Sequence, residues 1–177
     1  NEPYTKIWLE DDPPKYAELF NVSYSKIKAI APGAKIGGFG TWFLNDKNSD
    51  RLKSFLQNTK TDFVSIHHYG NILDEQASEK EKMKDVKVIF YDLIVSLRDF
   101  IDRYGQNNMT EIIQGEYNSD YSAEYASHLD EPFTASWYAS ALSWQIRSQE
   151  IAIELFYAGT SAHEDKGFGM WSSSLGQ

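Results

Sequence analysis

The chain has 177 residues, 41% hydrophobic and 15% aromatic, which is the size of one domain and enough apolar material for a core. A formal charge of −9 argues against nucleic acid or an anionic membrane as partner, since both select basic surfaces. The absence of cysteine excludes disulfides, thiol nucleophiles and cysteine metal sites, and no apolar run approaches the roughly 18 residues of a membrane span.

In chain order, the motif Asn1-Glu2-Pro3 comes first, followed by an acidic, proline-containing loop from Glu10 to Pro14. Residues 15–31 carry Tyr16, Leu19, Phe20, Tyr24, Ile27 and Ile30 at helical spacing, and Pro32-Gly33 ends that helix. Residues 35–40 read as a short strand weakened by glycines and 50–57 as a helix. Residues 62–69 form a clear strand, and 86–104 a long helix closed by Gly105. The Lys/Glu run from Glu79 to Lys87 reads as the solvated start of that helix. A strand follows over 111–116, then a helix over 133–148 with Trp137, Ala141 and Trp144 on one face, and a β-rich run over 151–157. Strands alternating with helices are the pattern of a parallel βα architecture. Two glycosylation sequons, Asn21-Val22-Ser23 and Asn108-Met109-Thr110, are short enough to arise by chance.

Strand alternation places side chains. Phe63, Ser65, His67 and Tyr69 share one face, while Val64, Ile66 and His68 share the other and are expected to meet the helices. By the same rule Ile112, Gln114 and Glu116 share a face, opposite Ile113, Gly115 and Tyr117. His67, Tyr69 and Glu116 then lie at strand ends on an inward face, where a carboxylate is rarely buried unless paired or functional. His67 and His68 point to opposite faces, which disfavours joint metal ligation. Taken alone, Glu116 reads as a structural carboxylate in an ion pair or as a catalytic group, His67 as a core histidine or a binding residue, and Glu2 as a solvated glutamate. A βα protein that uses these glutamates to hold a metal or a basic ligand is a further reading.

Asn1-Glu2-Pro3, then Asp62-Phe63-Val64-Ser65-Ile66-His67-His68-Tyr69, then Gly115-Glu116-Tyr117-Asn118-Ser119 resemble the ends of strands four, six and seven in clan A glycoside hydrolases, most of all family 39 with its β-xylosidases and α-L-iduronidases. The terminal Gly167-Phe168-Gly169-Met170-Trp171 resembles the segment after strand eight. The resemblance implies an α/β fold: the C-terminal part of a (β/α)8 TIM barrel, from the end of strand four through strand eight, with residues 1–177 as a partial catalytic domain. It implies Glu2 as general acid/base, Asn1 on the sugar hydroxyl beside the anomeric carbon, Glu116 as nucleophile, Tyr69 as a hydroxyl on that nucleophile and His67 in the same subsite.

The family's tryptophan at the end of strand eight is not evident, and Tyr157 or Trp171 is the expected replacement as a stacking platform. Trp42, in a loop past a glycine strand, is the tryptophan expected to touch sugar, while Trp137 and Trp144 read as core. Retaining hydrolysis then expects carboxylates about 5–5.5 Å apart, with Glu2 protonated beside an ionised Glu116. No metal or organic cofactor is required. The expected partner is a carbohydrate substrate, together with the missing N-terminal half of the barrel or a pairing chain, because four strands cannot close an eight-stranded barrel. A chain that begins without Met inside a catalytic motif is expected to be part of something longer. A polysaccharide substrate implies an extracellular or periplasmic location. The alternative is a carbohydrate-binding or scaffold protein on the same fold without turnover.

Overall fold

The computed structural model describes residues 12–42, 46–74, 76–107, 109–120, 132–156, 160–161 and 171–172. Helix α1 (Pro13–Ile30) starts where Asp12 accepts the Lys15 N–H at 3.0 Å and two prolines supply preset φ angles for the first turn. It ends at Ala31, whose N–H reaches the Ile27 carbonyl. Strand β1 (Gly37–Thr41), helix α2 (Asp46–Asn58) and strand β2 (Phe63–Tyr69) follow. The helix expected over 86–104, with the run 79–87 as its start, is α3 (Glu79–Lys87), one π-helical turn (Val88–Asp92) and α4 (Leu93–Tyr104). Strand β3 (Glu111–Asn118), helix α5 (Pro132–Ser148) and strand β4 (Ile151–Phe156) complete the alternation, and β5 (Thr160–Ser161) pairs in parallel with β6 (Trp171–Ser172).

The four longer strands form one parallel sheet in sequential order, β1-β2-β3-β4. Four parallel strands joined by helices are what a contiguous stretch of a βα barrel contains. β1 pairs with β2 through Gly37↔Phe63 and Gly38↔Val64, then slips through a bulge to Thr41↔Ile66. Phe39 absorbs the bulge at φ 65°, a left-handed conformation that strains a bulky residue; its N–H donates to the Tyr16 hydroxyl at 3.1 Å.

The described residues fall into two compact units, one from Asn1–His67 with Ser96–Ile113 and one from His68–Val95 with Gln114–Gln177. The first is organised around Phe55, which stacks on Tyr16 and meets Phe20 edge-on at 5.0 Å between ring centres, with Phe39 also in contact. The apolar stripe expected on α1 is only partly used: Ala17 and Phe20 are buried, whereas Leu19, Ile27 and Ile30 are exposed. The second unit is built on Val86, Ile89, Phe90, Tyr117, Trp137 and Ala141, with Phe90 edge-on to both Trp137 and Tyr117. The π turn supports this packing, since its extra residue lets Ile89 and Phe90 both turn inward.

Candidate active site at the strand ends

The second unit gathers polar side chains where β2 and β3 end. Val64 and Ile66 are fully buried, and His68 lies edge-on to Phe90, so the helix-facing side of β2 is the predicted one. Tyr69 points the other way and donates its hydroxyl to a carboxylate oxygen of Glu116. On β3, Tyr117 turns toward the helices and stacks on Tyr138, which leaves Glu116 and Gln114 on the opposite face. Gln114, fully buried, donates from its amide to the Glu116 carbonyl at 2.8 Å and so fixes the backbone that carries the carboxylate. Glu116 itself is half-buried. A half-buried carboxylate at a strand end with one oxygen held by a phenol has the geometry of a nucleophile or of an acceptor for a ligand hydroxyl.

The segment beyond Glu116 is held from two directions. The Gly70 N–H donates to the Asn118 carbonyl at 3.0 Å, and the Ser119 N–H donates to the Asn118 side-chain oxygen at 2.7 Å. Gly70 is required here: a Cβ on it would stand 2.7 Å from the Ser119 carbonyl oxygen and 2.9 Å from the Trp137 indole nitrogen. From the helix side, the Lys82 ammonium meets Asp120 at 2.6 Å, with both side chains at most 2% exposed. This corrects the reading of 79–87 as a solvated run. Ser78 caps α3 with Glu81 in a reciprocal capping box, and the phase so set brings Lys82 and Val86 inward while Lys80, Met83 and Lys84 face solvent. Lys82 and Asp120 are therefore the residues around the site that the sequence motifs did not single out.

The other expected site residues are distributed as follows. His67 is buried in the first unit, at the boundary on β2. Trp42, half-buried, follows β1; its carbonyl accepts from Asn48 at 3.0 Å, and Arg51 donates in turn to the Asn48 side chain. Trp171 forms part of β6. Asn1, Glu2 and Tyr157 lie outside the described residues. Trp137 is a core residue as expected, and Trp144 is half-buried between Tyr91 and Arg147.

No protein-family model matches the chain, and no curated protein sequence does. Among solved structures, the chain resembles a monomeric β-xylosidase from Caulobacter crescentus CB15, with a TM-score of 0.66 and 20% identity over 98% of this chain and 37% of that one. It also resembles a GH39 β-xylosidase from Caulobacter crescentus, with a TM-score of 0.64 and 20% identity over 96% of this chain and 36% of that one. At such identity the likeness is one of fold. The chain spans just over a third of the length of either structure.

Proposed function

We propose that this chain carries the nucleophile half of a retaining glycosidase site, with Glu116 as the nucleophile and a β-xyloside as the substrate class. The observation that carries this reading is the bond from Tyr69 to Glu116 at the ends of neighbouring strands. In the proposed reaction Glu116 attacks the anomeric carbon as the bond to the leaving oxygen breaks, and Glu2 gives its proton to that oxygen. Water then attacks the glycosyl-enzyme, Glu2 takes the water's proton, and Glu116 is released with net retention. Tyr69 orients the attacking carboxylate. Asn1 and His67 bind the reacting sugar, and Trp42, with Tyr157 or Trp171, forms the stacking wall. The fold of the β-xylosidases supports the substrate class, and the short motifs around Glu2 and Glu116 support the assignment of roles.

The same reading requires a partner for the sheet. β1 and β4 are the outer strands, and on β4 Ile153 and Leu155 are about half exposed. Strands from an N-terminal half-barrel, in the same polypeptide or a second one, would pair with these edges and cover those side chains.

The test is hydrolysis of p-nitrophenyl β-xyloside by the full-length protein. Glu116→Gln should lower kcat by about a thousandfold or more, the scale on which loss of a covalent nucleophile acts. A fluorinated xyloside should label Glu116 and no other carboxylate. Undiminished turnover in Glu116→Gln removes the assignment, and xyloside binding without turnover in the unsubstituted protein favours a carbohydrate-binding role.

A further inference from the structure

We propose that Lys82 and Asp120 are a positioning pair that sets the orientation of Glu116, a role that rests on Glu116 being the nucleophile. Two features lead there. The first is placement. Asp120 lies four residues beyond Glu116, and the chain between them is stapled to the end of β2 by the Gly70 N–H on the Asn118 carbonyl. Ser119 sits so close to Gly70 that no side chain fits between them. Tyr69, which holds the Glu116 carboxylate, is the residue before Gly70. The relative register of Tyr69 and Glu116 is therefore fixed by the same few residues that Lys82 anchors through Asp120 at 2.6 Å. The anchor itself does not drift, because the Ser78–Glu81 capping box fixes the start of α3 and the Lys82 N–H continues the helix onto the Ser78 carbonyl at 2.9 Å.

The second feature is the choice of chemistry. An ion pair withdrawn from water is a poor way to gain stability, since apolar residues of similar volume do as well or better once desolvation is counted. What a buried pair supplies is a short, directional link that tolerates one arrangement. Directional links matter most beside a reacting group, where a displacement of about 1 Å costs on the order of a hundredfold in rate. Ser119 adds a second contact on Asp120, its hydroxyl 3.4 Å from the other carboxylate oxygen.

The test compares Lys82→Met/Asp120→Leu, which removes both charges and keeps the core filled, with Asp120→Asn, which keeps the shape and removes the charge. Each is assayed in the full-length protein with the aryl glycoside that the unsubstituted protein cleaves. The expected result is a melting temperature for the double variant equal to or above that of the parent, a kcat about ten- to a hundredfold lower in both variants, and a KM within about threefold. A fluorinated glycoside should still label Glu116, only more slowly. A folded variant with unchanged kcat overturns the positioning role, and so does failure of both variants to fold, which assigns the pair to the fold alone. Turnover that survives Glu116→Gln, or no turnover by the parent, removes the nucleophile assignment and this role with it. Turnover that needs Glu116 and ignores the pair removes this role alone.

Discussion

Strand beginnings and strand ends are built on different chemistry. Where β2 and β3 begin, charge stays in contact with solvent: Lys28 pairs with Asp62 at 2.9 Å, Lys35 pairs with Glu111, and Asp62 also accepts the Ile36 N–H. The core of that first unit is aromatic and aliphatic, and among its described residues no lysine, arginine, aspartate or glutamate is buried. Where β2 and β3 end, His68, Gln114, Asn118, Asp120 and Lys82 are all buried within the second unit. Exposed pairs are cheap to form and easy to lose, whereas buried polar groups demand partners for every atom. Buried polar groups occur at both ends, but at the strand beginnings they are the neutral hydroxyls of Thr61 and Thr110, whereas the buried charges, Lys82 and Asp120, lie at the strand ends, the side on which βα barrels bind their ligands.

The largest expected effect tests whether that difference is functional or only a matter of packing. Phe55→Ala and Phe90→Ala each remove a fully buried ring and should each cost about 3–5 kcal/mol in denaturant unfolding. Phe55 touches Tyr16, Phe20 and Phe39. Phe90 touches His68, Trp137 and Tyr117, the residue after Glu116. At a temperature where both variants remain folded, Phe90→Ala should lower kcat about tenfold and Phe55→Ala by less than about twofold. Equal losses of activity would reduce the contrast between the two regions to one of composition.

Much of this was legible in the sequence, because alternation and periodicity survive without tertiary information. The order of helices and strands and the split of Val64, Ile66 and His68 from Tyr69 follow from period two and from turn residues, whereas the meeting of Tyr69 with Glu116 is implied only by the resemblance of the short motifs around them. Lys82 was not legible as a charge in a charged run. The cue was nearby: Ser78-x-x-Glu81 marks a helix start, and from it Lys82, Val86 and Ile89 fall at i, i+4 and i+7, one lysine on an otherwise apolar face. On α1 the error ran the other way. Leu19, Ile27 and Ile30 have the spacing of a core stripe, yet they are exposed, while Tyr16 and Phe20 are the α1 rings that meet Phe55.

A smaller effect sharpens the contrast from the helix side of the strand ends. Glu154 on β4 is half-buried near Tyr117, and the Gln145 amide, turned to donate, lies 2.8 and 2.9 Å from its two oxygens. Burial raises the Glu154 pKa above its ordinary 4.5, against the opposing bond from Tyr117. Burial likewise raises the Tyr117 phenol, helped by Tyr138 and Glu154. A carboxylate with a raised folded pKa costs nothing below about pH 4.5, where both states are protonated. The cost then grows as pH rises through the folded value and stays constant above it. Glu154→Gln should therefore stabilise the protein at neutral pH by no more than about 1 kcal/mol, allowing for solvent screening, and by nothing at about pH 4. A gain that persists in acid would mean that shape and not charge is the cause.

The smallest effect belongs to the strand beginnings and has the opposite sign. Burial alone would raise the Asp62 pKa, but the Ile36 N–H, the bond and charge of Lys28 and the charge of Lys35 together bring it below its ordinary 3.8. Lys28 is raised above 10.5, first by its bond to Asp62 and against its own desolvation. A depressed carboxylate stabilises the fold above its unfolded value and loses that contribution as pH falls through the lower folded value; a raised lysine loses its contribution as pH rises past its own folded value. Asp62→Asn should therefore melt about one or two degrees below the parent at neutral pH and low salt. The gap should narrow with added salt and close as the pH falls below about 3.8. Hydrolysis should be untouched, since the residue sits at the wrong end of β2 to meet a ligand. A fall in kcat for Asp62→Asn comparable to that for Asp120→Asn would show that strand beginnings and strand ends are not separable in function, and the contrast would fail at its cheapest point.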